Sequence, residues 1–150
     1  MRKPAVPTCK RLVIAWFFVP MHRFLFRLSG GRLLGRLESV GVLILTTRGR
    51  KSGKRRSSPL LYFRFEGSNE LIVVASNYGQ DHHPGWYWNL VADPEVVVGV
   101  KGERFSAQAR IAEGAERIVL YEGVVATNSR FAAYRAGTDR RIPVVALRRA

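Results

Sequence analysis

Residues 45–61, with the sequence LTTRGRKSGKRRSSPLL, place a strongly cationic loop between two apolar runs. In residues 48–56, six of nine positions are Lys or Arg, and two glycines interrupt them. Glycines let backbone N–H groups turn toward an anion, and basic side chains add charge-assisted donors around it. The candidate donors are Arg50, Lys51, Ser52 and Arg56. The loop can therefore bind a phosphate or a carboxylate, and a solvated basic hairpin is the alternative of equal weight.

The loop is not a nucleotide-binding P-loop, although its GRKSGK stretch is superficially similar to one. Three residues separate Gly49 from Gly53 where that motif needs four, and Arg55 stands where Ser or Thr should follow the lysine. The loop also lies between two predicted strands and not before a helix. The sequence thus predicts anion binding without the P-loop geometry.

A second group of residues, 74–90 (VASNYGQDHHPGWYWNL), supplies polar and aromatic side chains. A predicted buried strand ends in a small polar bend at residues 76–79, which leads to a helix start bearing Trp86. Such an arrangement builds a pocket wall with polar edges for orientation and an aromatic surface for a flat ring. For Trp86, Tyr87 and Trp88 taken one at a time, a place in the core is the simpler interpretation. His82 and His83 have a pKa range suited to acid–base work, but histidines at a helix entry are more often structural or exposed.

The distribution of charge narrows the choice of partner. The chain has 150 residues, a formal net charge of +14 and a pI near 11.2. Residues 1–56 hold fourteen Lys and Arg against one acid, whereas residues 57–150 hold eleven against ten. A nucleic-acid binder is usually basic throughout, so this division counts against a nucleic-acid partner without excluding one, and none is expected. One cysteine and three histidines cannot assemble a zinc set, and no metal site is predicted.

The N-terminal stretch, residues 11–28, is apolar and flanked by basic residues. Its uninterrupted apolar run, residues 12–19, is far shorter than the roughly 20 residues that a bilayer-spanning helix needs. No small-residue cleavage site for a signal peptide follows it. Two interpretations stay open: a helix on the membrane surface, with lipid contact through residues 10–28, and a helix packed on its own domain. The expected location is cytoplasmic, with peripheral attachment to the inner face of the membrane under the first interpretation.

The elements that position these groups are mostly short strands. The predicted strands are Val42–Thr47, Ser58–Phe65, Leu71–Ala75, two strands around a tight turn at Lys101-Gly102, and residues 141–149. The predicted helices are one within residues 81–94, one from Gly114 to Ala126 and one from Phe131 to Ala136. In the first of these, Pro84 suits the first helical position and Asp81 or His83 the cap, while Trp86, Asn89 and Leu90 share one face.

These elements predict a mainly β (α+β) fold, a partly open split β-barrel of about six antiparallel strands with peripheral helices and an N-terminal apolar helix. A glycine-punctuated joint, SGGRLLGRL, ends at Leu37. It divides the chain into an N-terminal segment, residues 1–37, and a barrel domain, residues 38–150.

Three stretches closely resemble the deazaflavin-dependent nitroreductase family: LTTRGRKSGKRRSSPLLY, VVASNYGQDHHPGWYWNL and the terminal YRAGTDRRIPVV. The likeness covers residues 40–148 in the same order and spacing. It implies a split β-barrel that uses reduced 8-hydroxy-5-deazaflavin, coenzyme F420. That coenzyme combines a flat ring with a phosphodiester and a polyglutamate tail, so it is an extended polyanion.

The resemblance implies roles by position. The phosphate-contacting turn matches Arg50, Lys51 and Ser52. The stretch along the tail and ring edge matches Arg56, Ser57, Ser58, Pro59, Leu60 and Leu61. The segment against the deazaflavin head matches Val74, Ala75, Ser76 and Asn77. The helix start beside the ring matches Gly85, Trp86, Tyr87, Trp88 and Asn89. Tyr134 matches a tyrosine over the substrate pocket, and Tyr134 and Ser76 are the candidates for catalytic polar contacts.

Two positions depart from the family pattern. Asn77 stands where lysine is frequent, and Phe131 stands one helical turn before Tyr134 where the family can carry another tyrosine. The loss of that phenol removes a possible proton donor. The resemblance implies an oxidoreductase that passes a hydride from the reduced coenzyme to an electron-poor small molecule: a quinone, an activated alkene or a nitro compound. The alternative is a non-catalytic basic barrel that binds an anionic ligand or nucleic acid.

Overall fold

The computed structural model describes residues 37–150, so the predicted N-terminal helix and the joint before Leu37 lie outside the described residues. The strands are β1 (Leu37–Arg48), β2 (Arg55–Phe65), β3 (Glu70–Val74), β4 (Glu95–Val100), β5 (Glu103–Ile111) and β6 (Val144–Arg149). The helices are α1 (Gly85–Ala92), α2 (Gly114–Thr127) and α3 (Arg130–Ala136), with a 3-10 turn at Asn77–Gly79. None of the helices in this part of the chain is long and apolar enough to cross a membrane.

The six strands form one closed antiparallel barrel in the order β1-β2-β3-β6-β5-β4. The prediction of a six-stranded antiparallel barrel is confirmed, but the prediction that it is partly open is wrong. Strand β1 has 12 residues where the sequence predicted six. Along this length β1 pairs with β2, and its residues 44–46 also pair with β4, which closes the ring.

Alternation along the strands divides the core into two clusters. Leu43 and Leu45 are fully buried in a cluster that also holds Trp86 and Leu90 of α1. On β6, Val145 belongs to this cluster, while its neighbours Val144 and Ala146 belong to a second cluster under α2 and α3. Because both faces of residues 144–147 are covered, this part of β6 is a continuous apolar run, whereas its last two residues, Arg148 and Arg149, are exposed.

Several predicted boundaries shift by a few residues. The strand predicted from Ser58 begins at Arg55, and the last strand begins at Val144 and not at residue 141. Pro143 precedes that strand, and its carbonyl accepts the backbone N–H of Ala75 at 2.9 Å. The tight turn at Lys101-Gly102 is confirmed, with φ angles of 49° and 76° that match a two-residue hairpin turn.

The start of α1 differs from the prediction. Pro84 occupies the N-cap, one position earlier than expected, and neither proposed capping side chain caps the helix. Asp81 Oδ1 instead accepts a hydrogen bond from Thr138 Oγ1 at 3.0 Å, and His83 Nδ1 lies 2.7 Å from an Arg140 guanidinium nitrogen. Asp81 and His83 are therefore bonded to residues distant in the sequence and not to the start of α1. The shared face of Trp86, Asn89 and Leu90 is confirmed, and all three are buried.

Candidate active site

The basic turn, residues 49–54, joins β1 to β2 and is held by its own backbone. Gly49 N donates to Lys54 O at 2.8 Å, and Gly53 N donates to Gly49 O at 2.8 Å. A methyl group on Gly49 would lie 2.7 Å from Ser52 Oγ and 3.1 Å from Lys54 O, so the turn leaves little room for a side chain there. The basic side chains therefore project from a compact, defined turn.

Asn89 connects this turn to helix α1. Its Oδ1 accepts hydrogen bonds from the backbone N of Arg50 at 3.2 Å and from an Arg50 guanidinium nitrogen at 3.3 Å. Its Nδ2 donates to Thr47 Oγ1 at 3.1 Å, in a buried environment. The amide thus uses its acceptor and its donor to hold the turn against both the helix and β1.

A cationic cavity of about 410 Å³ lies between the basic turn and the start of α1. Its lining residues are Gly49, Arg50, Lys51, Ser52, Arg56, Ser58, Gly85, Trp86 and Asn89. Three cationic side chains and two hydroxyl groups surround this space. Such a set of donors suits a phosphate or carboxylate group.

A larger, mainly apolar cavity of about 470 Å³ adjoins the first, and Ser58 and Trp86 line both. Its remaining lining residues are Val42, Pro59, Leu60, Leu61, Val74, Ser76, Asn77, Tyr78, Pro84, Asn128, Arg130, Phe131 and Tyr134. The two cavities form one cleft, which runs from the basic turn past β2 and the end of β3 to α3. One end is suited to anions and the other to a flat apolar ring.

Aromatic rings connect the core to the apolar end of this cleft. Phe63 packs edge-on against Phe131 with ring centroids 5.6 Å apart, and Phe131 packs in the same way on Tyr134 at 5.4 Å. Tyr134 in turn meets the ring of Tyr78 at 6.3 Å. The Tyr121 hydroxyl donates to Phe131 O at 2.7 Å and fixes the start of α3. Tyr134 is therefore a half-buried phenol on a supported helix at the cleft.

Arg140 holds the segment between β3 and α1 through several hydrogen bonds. Besides contacting His83, its guanidinium donates to the carbonyl oxygens of Ala75 at 3.1 Å, Ser76 at 2.8 Å and Gln80 at 2.7 Å. Burial first, and the charge of Arg140 second, lower the pKa of His83. His83 is consequently held neutral, with Nδ1 facing the guanidinium. Within residues 37–150, no three His, Cys, Asp or Glu side chains gather as metal ligands do.

The structure brings together most of the predicted site residues along the cleft. Four of those in the described part of the chain do not line it. Ala75 is fully buried, and Ser57 pairs its hydroxyl with that of Thr46 at 2.8 Å. Tyr87 and Trp88 stack around His83 on another face of α1.

Sequence reasoning omitted six lining residues from the predicted site: Val42, Gly49, Tyr78, Pro84, Asn128 and Arg130. Alternation along β1 could have placed Val42 opposite the buried Leu43 and Leu45, on the outer face. Tyr78 lay in the polar bend that had been singled out. Asn128 and Arg130 gave no local signal, because only the tertiary fold brings the α2–α3 junction to the cleft.

The closed barrel and its cleft define a class of protein: a small antiparallel barrel whose cleft has a cationic end and an apolar end. Comparisons with known proteins agree. The sequence model of the F420H(2)-dependent quinone reductase family matches residues 20–149. The protein Rv3178 of Mycobacterium tuberculosis is 38% identical over 111 residues, which cover 74% of this chain and 92% of that protein.

Two further relatives have informative names. The F420H(2)-dependent quinone reductase Rv1261c of Mycobacterium tuberculosis is 33% identical over 133 residues, covering 86% of this chain and 88% of that protein. A solved structure of an F420-H2 dependent reductase is 36% identical, with a TM-score of 0.63, and covers 71% of this chain and 92% of that one. The chain belongs to the F420H(2)-dependent quinone reductase family. It is an oxidoreductase that uses reduced coenzyme F420, and the resemblance seen in the sequence is confirmed.

Proposed function

We propose that the cleft holds reduced coenzyme F420 with its phosphodiester and glutamate tail at the basic turn and its ring in the apolar cavity. The observation that carries this proposal is the continuity of the two cavities through Ser58 and Trp86. The cationic end supplies Arg50, Lys51 and Arg56 for the anionic groups. The donors present therefore fit the chemistry of the coenzyme.

When bound, the reduced deazaflavin supplies a hydride, and the protein supplies binding, orientation and shielding from water. Asn89 orients the Arg50 backbone and guanidinium before any ligand arrives, which reduces the ordering that binding requires. Trp86 is largely buried, lines both cavities and presents a rigid surface to a planar group. Pro59, Leu60 and Leu61 line the apolar cavity and help to exclude water from the site of hydride transfer.

The acceptor in this proposal is a quinone, bound on the side of the apolar cavity formed by Tyr134. The phenol of Tyr134 is positioned to donate a hydrogen bond to a carbonyl oxygen that gains negative charge as hydride arrives. Ser76 lines the same cavity from the end of β3 and supplies a second hydroxyl. Phe131 contributes only an apolar surface, so Tyr134 carries the proton-donating role that two phenols could share in relatives.

Two titrations separate this function from the alternative of a basic barrel that binds nucleic acid. The full chain is titrated with coenzyme F420, followed by coenzyme fluorescence, and separately with a single-stranded oligonucleotide at low and high salt. We expect saturable coenzyme binding and only weak oligonucleotide binding that disappears at high salt. Tight oligonucleotide binding without coenzyme binding would overturn the proposal.

We also propose peripheral attachment to the inner face of the membrane through residues 10–28, which would bring a cytoplasmic enzyme close to apolar quinones. The support is the sequence: an apolar run with basic flanks suits the interface of an anionic bilayer. Replacing Lys10, Arg11, Arg23 and Arg27 by Gln in the full chain should reduce sedimentation with anionic liposomes and leave coenzyme affinity unchanged. Equal sedimentation of both proteins would contradict lipid contact through this segment.

A further inference from the structure

The bend between β3 and α1 holds an unusual backbone. Asn77, Tyr78 and Gly79 are consecutive residues with positive φ angles of 45°, 56° and 76°. This left-handed region is natural for glycine, tolerated by asparagine and unfavourable for a bulky aromatic residue. The Tyr78 side chain is 80% exposed, so burial of its ring does not offset the cost. Strained residues of this kind persist where the surrounding structure fixes them, and they cluster at functional sites.

The structure fixes this bend from several directions. The Arg140 guanidinium donates to the carbonyls of Ala75 and Ser76 before the bend and of Gln80 after it. Asn77 Nδ2 donates to His82 O at 3.1 Å. A methyl group on Gly79 would lie 3.0 Å from the Tyr134 Cα, so the bend also abuts helix α3 directly. The backbone from which the Tyr78 ring projects is thus fixed by its neighbours.

The Tyr78 ring is at the acceptor end of the cleft. Tyr78 and Tyr134 both line the apolar cavity, and their rings meet edge to face with centroids 6.3 Å apart and planes at 86°. The ring of Tyr134 packs against Phe131, whereas the ring of Tyr78 is exposed to solvent. Two mutually perpendicular rings offer a planar molecule one face and one edge, the arrangement that aromatic groups favour.

We propose that Tyr78 is a specificity-determining residue that, together with Tyr134, selects planar aromatic acceptors such as bicyclic quinones over small non-aromatic enones. This inference rests on the proposed function of the cleft. The ring of Tyr78 provides additional surface for contact with the acceptor. The second ring of a bicyclic quinone can pack against this surface, whereas a small enone is too short to do so. The unfavourable backbone is then maintained for binding and not for folding.

The test is the variant Tyr78→Gly, because glycine adopts the same φ without strain and removes only the side chain. With menadione as the bicyclic acceptor, KM should rise about tenfold, while KM for cyclohex-2-enone should change less than about twofold. Isothermal titration of menadione into the protein carrying oxidised coenzyme should show the same weakening without turnover. Tyr78→Phe, which keeps the ring, should retain the wild-type KM and affinity for menadione.

Stability separates this role from a structural one. If Tyr78 acts on the acceptor, Tyr78→Gly should have a Tm equal to or above that of the wild type and an unchanged coenzyme Kd. A lower Tm, or equal changes in KM for menadione and cyclohex-2-enone, would overturn the inference. If the wild-type chain binds no coenzyme, the proposed function fails together with this inference. If it binds coenzyme and Tyr78→Gly leaves menadione binding intact, only this inference fails.

Discussion

Asn89 of α1 and Arg50 of the basic turn are 39 residues apart in the sequence, yet the side-chain oxygen of Asn89 accepts two hydrogen bonds from Arg50. One comes from the backbone and one from the guanidinium, at 3.2 and 3.3 Å. The same amide donates to the hydroxyl of Thr47, which is 1% exposed. A single buried side chain therefore connects the cationic end of the cleft to both α1 and β1.

The first prediction concerns this connection. Asn89→Ala leaves the buried Thr47 hydroxyl without its partner, and an unmet buried polar group costs about 1 to 3 kcal/mol. We expect the free energy of unfolding, measured by urea denaturation, to fall by about that amount, and coenzyme affinity to fall as well. Asn69→Ala, at an exposed turn between β2 and β3, is the control. Equal stability of the two variants would show that the Asn89 bonds contribute nothing.

A feature of the fold or of the site could be predicted from the sequence when neighbouring residues cause it, and not when residues distant in the sequence cause it. The basic turn, the hairpin at Lys101-Gly102 and the buried face of α1 follow from glycine placement and side-chain spacing, and each was predicted. The connection from Asn89 to Arg50 was not, because nothing local distinguishes a buried asparagine that crosses to another element. Arg140 likewise reaches carbonyl groups 60 to 65 residues away.

Closure of the barrel and the strained bend were missed for a related reason. β1 pairs with β4 through residues 44–46, inside its predicted strand, and β-propensity does not indicate which strand a given run will pair with. The positive φ of Tyr78 runs against its residue type and is imposed by tertiary contacts. A prediction based on local preference fails at such a site.

The second prediction concerns pH. Burial and Arg140 lower the pKa of His83 below its ordinary value of 6.5. As the pH falls through about 6.5, the unfolded chain takes up a proton at this residue more readily than the folded chain, so stability that is fully present above that pH is progressively lost. His83→Gln should therefore lose less stability than the wild type between pH 7 and pH 5.5 in denaturant titrations. His82→Gln, at an exposed position, should follow the wild type, and a parallel loss in His83→Gln would exclude this linkage.

The third prediction concerns the chemical step. Tyr134→Phe keeps the ring that packs on Phe131 and Tyr78 and removes only the hydroxyl, so coenzyme affinity should hold. If the phenol stabilises charge that develops on the acceptor, kcat with a quinone should fall about tenfold or more, equivalent to about 1.4 kcal/mol of barrier. Tyr87→Phe removes a phenol outside the cleft and is the matched control. Unchanged turnover in Tyr134→Phe would mean that solvent supplies the proton.

The last prediction tests the assignment of the cleft itself through two double variants of the basic turn. Lys51 and Arg56 line the cationic cavity, whereas Lys54 and Arg55 in the same described hairpin lie outside its lining. Both double variants remove two positive charges from a segment of nine residues, residues 48–56, so their effect on net charge is the same. Only a specific contact with the ligand distinguishes them.

The decisive measurement is the coenzyme F420 dissociation constant of these variants, determined by fluorescence titration at low and at physiological salt. Lys51→Ala with Arg56→Ala should weaken binding by about 2 to 4 kcal/mol, taking roughly 1.5 to 3 kcal/mol for each charged hydrogen bond and allowing for solvent screening. That corresponds to roughly thirty- to a thousandfold in Kd. Lys54→Ala with Arg55→Ala should weaken binding by less than about fivefold and lose even that difference at physiological salt. Equal losses in the two variants, or none in either, would contradict the placement of the coenzyme's anionic groups at the basic turn.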